Sequence, residues 1–265
     1  MVDVLKRNNV QVIGEGTQVL VFAHGFGCDQ NVWRHLIDVY KDRYKLVLFD
    51  FVGAGQSDLS QYNSQRYGTL NGYALDVVEI LEALHLNNVI FVGHSVSCMV
   101  GVRAAINHPG HFSKLIFVCP SPCYINDGDY RGGMEREDLE SLFTMMDNNY
   151  LGWSSSMGPL IMGNAERPEL GEELSANFCA TDPDIAREFA HVTFLSDSRE
   201  DLHQLTVPSL TLQCADDILA PLDVGYYVEK HTADNTLVIL DATGHCPHLS
   251  APMQTIKAIN CYVQA

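Results

Sequence analysis

The chain has 265 residues, enough to bury one large core in a single domain or in a domain with a small insert. Its 33 acidic and 16 basic side chains give a formal net charge of −17, which argues against a nucleic-acid binder and against contact with anionic membranes. The composition, 46% hydrophobic and 18% charged, is that of a globular protein, and no apolar run approaches the roughly 20 residues of a membrane helix.

The N-terminal stretch MVDVLKRNNV has no apolar segment of the kind a secretory signal needs, so a soluble intracellular protein is expected. Residues 4–16 are read as an antiparallel hairpin at the front of the fold. QVLVFAHG (18–25) and KLVLFDF (45–51) then read as buried strands, because strands covered on both faces are almost continuously apolar. GAGQSD (53–58) follows the second of them. Its glycines suggest a dinucleotide loop, but Asp58 stands where the third glycine would be and no helix opens there, so it is read as a turn.

LNGYALDVVEILEALHL (70–86) repeats apolar residues at helical spacing. NVIFVGHS (88–95), the helical SCMVGVRAAINH (97–108) and the strand KLIFVCP (114–120) continue the alternation, which predicts a parallel sheet wrapped by helices. It stops between 121 and 205. That stretch carries helical runs at 137–153 and 182–196 and no strand, and reads as a helical lid whose inner face holds Leu142, Met145, Met146, Trp153, Met157 and Phe194. The core returns with the strands SLTLQC (209–214) and TLVILDATG (236–244) and a last helix over 251–263. The expected organisation is therefore core 1–120, lid 121–205 and core 206–265.

Gly93-His94-Ser95-Val96-Ser97 joins a strand to a helix as a nucleophile elbow does, with serine in place of the usual last glycine. The residues two before and two after the nucleophile must be small, and Gly93 and Ser97 meet that need, so Ser95 is the expected nucleophile. A serine hydroxyl needs a base, and the base needs an orienting acid. Asp216 and Asp217 end one late strand, and His245 and His248 follow the next, in the order serine, acid, histidine. Spacing does not choose between the two aspartates. His245, directly after Gly244, is preferred as the base, and His248 is assigned to packing the last helix. Backbone N–H groups of Val96 and Phe26, the latter between the glycines of HGFG (24–27), are the expected oxyanion donors. No metal or other cofactor is called for. None of the eight cysteines forms a C-x-x-C pair and several lie in apolar runs, which predicts buried free thiols and a reducing cytoplasm.

Taken together, HGFGCDQNVW (24–33), FDFVGAGQSDL (49–59), GHSVS (93–97), SPCYINDGDYRGG (121–133), NYLGW (149–153), CADD (214–217) and GHCPHLS (244–250) closely resemble RsbQ-type α/β-hydrolases, bacterial regulators of the stress response. They also resemble the plant karrikin and strigolactone receptor hydrolases. The resemblance covers the whole chain. It implies an α/β-hydrolase fold with a mostly parallel sheet of eight strands and a four-helix lid inserted after the sixth. It makes Ser95, Asp217 and His245 the triad, which selects the second aspartate. It also implies an apolar pocket lined by Phe26, Tyr124, Met134, Leu142, Trp153, Met157 and Phe194.

The implied ligand is a small apolar butenolide, ester or lactone. The implied partner is a protein, a PAS-domain phosphatase in the bacterial relatives, while a plain carboxylesterase or lactonase without a partner is the alternative. Nothing in the chain requires more than a monomer. Ser97 follows the plant receptors where the bacterial regulator has glycine, and Met134 and Met157 stand where relatives carry phenylalanine.

Overall fold

The computed structural model describes residues 3–264; the outermost ends of the two expected core segments, residues 1, 2 and 265, lie outside them. Seven strands form one sheet: β1 Gln11–Ile13, β2 Val19–Ala23, β3 Lys45–Leu48, β4 Val89–His94, β5 Phe112–Val118, β6 Ser209–Asp216 and β7 Asn235–Thr243. Their order is β1-β3-β2-β4-β5-β6-β7, and only β1 runs antiparallel to its neighbour.

Side chains alternate between the two faces of the sheet, as strand geometry requires. On one face Leu20, Phe22, Ile90 and Val92 pack with Trp33, Leu36 and Tyr40 and with Ile256 and Ile259. These partners come from the segment around helix α1 (Arg34–Tyr40) and from the last helix, α9 (Pro252–Val263). On the other face Val21, Ala23, Val89 and Phe91 pack with helices α2 (Leu70–Ala83), α3 (Val96–Asn107) and α8 (Leu222–His231). Four helices lie between β5 and β6: α4 Arg136–Asn148, α5 Tyr150–Met162, α6 Pro168–Ala180 and α7 Pro183–Phe194.

Four expectations are corrected. The sheet has seven strands, not eight, because the first arm of the expected hairpin is a one-turn helix, Val4–Arg7. The Asp3 carboxylate caps it by accepting from the Leu5 and Lys6 N–H groups (3.1 and 3.3 Å), and Arg7 reaches the buried Asp76 at 3.0 Å, so this segment is pinned against α2. The four helices therefore follow the fifth strand, not the sixth. The helical run 137–153 is in fact two helices, because Asn149 leaves helical geometry (φ −156°) and its side chain accepts from the Gly152 N–H, capping the second (3.0 Å). Met145, expected on the inner face, is half exposed at 53%.

Six cysteines are buried and two, Cys179 and Cys261, are exposed; all eight are free thiols. Among the described residues no helix is long and apolar enough to cross a membrane.

Candidate active site

β4 is a central strand, flanked by β2 and β5, and it ends at His94. Ser95 follows with φ 57° and ψ −124°, a positive φ that a side chain rarely adopts. The turn is so tight that a methyl group on Gly93 would lie 2.7 Å from the Ser97 carbonyl oxygen. Ser95 N–H donates to the Val118 carbonyl of β5 at 2.9 Å, which ties the turn to the sheet. The Ser95 hydroxyl is thereby aimed away from the sheet into the space under the four helices.

Two late loops bring the partners. His245 Nε2 lies 2.8 Å from Ser95 Oγ, and His245 Nδ1 lies 2.7 Å from Asp217 Oδ2. The other Asp217 oxygen accepts from the Leu219 and Ala220 N–H groups at 2.9 and 3.2 Å. Burial alone would raise the Asp217 pKa. The neighbouring His245 and the two backbone N–H groups outweigh it and hold the carboxyl below its ordinary value. Asp216, its neighbour, is exposed and points elsewhere. His245 is fixed at both ends of its backbone: its N–H donates to the Ile161 carbonyl at the end of α5 (3.0 Å), and its carbonyl accepts from His94 Nε2 (2.8 Å). Gly244 is needed just before it, since at φ 87° an added methyl would strike the Met162 carbonyl.

The two serines of the elbow have different surroundings. Ser97 is fully buried in α3 and its hydroxyl donates to the His24 carbonyl, with no base beside it. His248 is also fully buried, stacked on Trp33 with ring centroids 4.5 Å apart, and neither of its ring nitrogens is hydrogen-bonded. Val96 opens α3, so its N–H belongs to the helix turn that has no carbonyl of its own to bond. Phe26 lies in the turn after β2, and its N–H makes no backbone hydrogen bond among the described residues. This turn passes close to Ser95: a methyl on Gly25 would lie 3.2 Å from Ser95 Cβ.

A small, mostly apolar cavity of about 20 Å³ lies over Ser95. Of the seven expected lining residues, Phe26, Tyr124 and Phe194 form its wall. Tyr124 places its hydroxyl 3.2 Å from Ser95 Oγ, and burial raises its pKa, so it stays protonated. The other four stand one layer out. Trp153 packs behind Phe26 and Phe178, Leu142 is held in the apolar cluster on α4, and Met134 and Met157 are partly buried against that cluster. Phe178, Leu174, Thr193 and Leu219 line the cavity in their place. No motif announced them. Leu174 and Phe178 do share a helical face of α6, but the sequence alone does not reveal which face looks down.

Cys28 and Cys246 also reach the cavity. Burial raises their thiols, Cys28 to about 12, so neither is an ionised thiolate near neutral pH. A second apolar cavity, of about 10 Å³, lies on the far side of Phe26, between Phe51 and Phe189. A larger depression around Arg167, Asp216 and Met253 opens to solvent and contains no residue of the Ser95 relay.

An elbow at the end of a central parallel strand, with acid and histidine on the next strand ends, defines a class. The chain belongs to the alpha/beta hydrolase family, whose model matches residues 20–258. Among its relatives, a karrikin insensitive 2 receptor of Petunia hybrida is 41% identical over 95% of this chain and 94% of its own. A strigolactone esterase of Pisum sativum is 39% identical over 94% of each. The structure of a hydrolase from Oleispira antarctica superposes with a TM-score of 0.97 at 43% identity, covering 99% of this chain and 96% of that one.

Proposed function

We propose that this protein hydrolyses a small apolar ester or lactone through Ser95, with His245 as general base and Asp217 as its orienting acid. The observation that carries the reading is the unbroken relay from Asp217 Oδ2 through His245 to Ser95 Oγ, at 2.7 and 2.8 Å, opening into an apolar cavity. Because Asp217 accepts from Nδ1–H, His245 Nε2 is the free lone pair facing the hydroxyl. As Ser95 Oγ attacks the substrate carbonyl, Nε2 takes its proton. The Phe26 and Val96 N–H groups receive the oxyanion. Collapse of the intermediate returns that proton to the leaving alcohol and leaves an acyl group on Ser95. A water, deprotonated by His245, then releases it.

The four helices act as a lid, in the region 121–205. Its aromatic ceiling, Phe178 and Phe194, favours apolar ligands. The cavity is narrow and its few polar groups are Ser95, Tyr124, Thr193 and the histidines, which suits a compact ligand such as a butenolide.

The test is hydrolysis of 4-nitrophenyl acetate by the intact chain. We expect slow turnover that Ser95→Ala abolishes and Ser97→Ala retains. Full turnover by Ser95→Ala, with loss in Ser97→Ala, would overturn the assignment.

A second reading adds signalling: the same site reports a ligand to a protein partner, such as a PAS-domain phosphatase. It is supported by the small apolar cavity under the lid helices and by the receptor named among the relatives. Turnover faster than any ligand-induced stabilisation could register, with no partner captured from the native host, would leave the plain esterase.

A further inference from the structure

The turn that carries the Phe26 N–H is clamped from one side by the residue that begins it. His24 is fully buried, and its ring is bonded at both nitrogens. Phe51 N–H lies 3.1 Å from Nε2, and the Gly25 carbonyl lies 2.9 Å from Nδ1. A backbone N–H can only donate and a carbonyl can only accept. Nε2 must therefore carry the lone pair and Nδ1 the proton. One neutral tautomer satisfies both contacts, and the protonated ring would set a donor against the Phe51 N–H.

The Gly25 carbonyl and the Phe26 N–H belong to the same peptide group. That group is planar and trans, since the described chain has no cis peptide, so its C=O and N–H point in opposite directions. A hydrogen bond that holds the Gly25 oxygen toward the His24 ring therefore holds the Phe26 N–H facing away from it. The Cys28 N–H reaches the same oxygen at 3.3 Å, and the Ser97 hydroxyl holds the His24 carbonyl one peptide earlier. The whole turn is thus fixed relative to α3 and the nucleophile. No other described side chain hydrogen-bonds the Gly25–Phe26 peptide.

We propose that His24 is a positioning residue that acts through its Nδ1–H on the Gly25 carbonyl to aim the Phe26 N–H at the oxyanion. It touches neither substrate nor Ser95. The inference rests on the reading of Ser95 as nucleophile and Phe26 as oxyanion donor, and adds to it which side chain sets the donor's direction. A donor fixed in advance stabilises charge that exists only in the transition state, so its loss lowers kcat and leaves KM in place.

The experiment compares His24→Leu, His24→Asn and His24→Gln with the native chain on 4-nitrophenyl acetate. Asparagine can present an N–H where Nδ1 stands, glutamine reaches to the Nε2 position, and leucine offers neither. Leucine and glutamine should lower kcat by about 10–100-fold, the scale of a misplaced catalytic group, with KM changed less than about twofold. Asparagine should recover most of the loss.

Equal kcat in the asparagine and glutamine variants overturns the proposal, and that comparison still stands if the leucine variant does not fold. A parallel rise in KM that accounts for the loss in kcat/KM would overturn it too, since general loosening would produce that result. A fluorophosphonate that labels Ser95 in the native chain separates the two levels. If Ser95 is unlabelled and Ser95→Ala keeps its turnover, the underlying reading fails; if Ser95 is labelled and the His24 variants are unaffected, only this inference fails.

Discussion

Asp217 shows how a single side chain combines several constraints. Its carboxylate is buried with one oxygen on His245 and the other on two backbone N–H groups, so it stays ionised where an isolated buried acid would not. Its role in the proposed mechanism is to select the His245 tautomer that leaves Nε2 free. Asp217→Asn keeps the size and the backbone contacts but can present an amide N–H to Nδ1, which favours the opposite tautomer. We expect kcat on an aryl ester to fall on the order of 10⁴-fold, as it does for the same change in a serine protease triad, with melting temperature little changed. A variant retaining more than a tenth of native kcat would remove Asp217 from the relay. The pair Asp216 and Asp217 also marks a limit of sequence reading. Asp216 ends β6 and Asp217 follows it, and only the turn into Leu219 and Ala220 decides which one is buried.

At the scale of the element, legibility followed the physics of burial. The strands were legible because a sheet covered on both faces needs continuous Val, Leu, Ile and Phe. The elbow was legible because strand and helix meet at Gly93. Its missing second glycine is explained by the room found for the Ser97 side chain, which turns to the His24 carbonyl. The helices over the cavity were harder. α5 contains Gly152, Gly158 and Pro159 together with three serines, residues that do not favour a helix interior. Packing holds it instead: Gly158 and Gly171 let α5 and α6 approach so closely that a methyl on Gly158 would sit 2.5 Å from the Gly171 carbonyl oxygen. Pocket lining by Met134, Leu142, Trp153 and Met157 was expected through resemblance, and Leu174, Phe178, Thr193 and Leu219 stand at the wall. The elbow gives the test at this scale. Gly93→Ala presses a methyl against backbone atoms of Ser97 and Cys98 at 2.7–3.0 Å, which cannot move without shifting α3. A loss of about 1–3 kcal/mol in urea unfolding is expected, together with a fall in kcat as Ser95 is displaced. Unchanged stability and rate would show the strand–helix contact to be looser than it stands here.

Across the whole molecule, the histidines under the site tie stability to pH. His24, His94 and His248 are fully buried, and burial is the first cause of each being shifted below the ordinary 6.5, His94 to about 3. In the unfolded chain all three protonate as pH falls through about 6.5. In the folded chain burial holds them neutral to lower pH. The unfolded state therefore binds more protons in this window, and stability falls as pH drops. Above about 6.5 both states are neutral and these residues give no pH dependence. A group neutral when folded and charged when unfolded contributes a slope of up to about 1.4 kcal/mol per pH unit, which His94, at about 3, reaches near pH 5, and His24 and His248 add to it with the same sign. Asp76, which burial pushes upward, acts with the opposite sign, but only nearer its ordinary 3.8. Against a domain stability of about 5–15 kcal/mol, such a slope acting over one or two pH units is a large loss. We expect stability to fall from about pH 6, above the carboxylate range, with more than one proton taken up per molecule unfolded near pH 5, read by calorimetry in buffers of different ionisation enthalpy. His248→Phe, which keeps an aromatic ring on Trp33 and removes one titrating group, should reduce the uptake by about one proton. A stability curve flat from pH 7 to 5 would mean that these imidazoles find partners when protonated, and the link between the buried ring cluster and acid lability would fail.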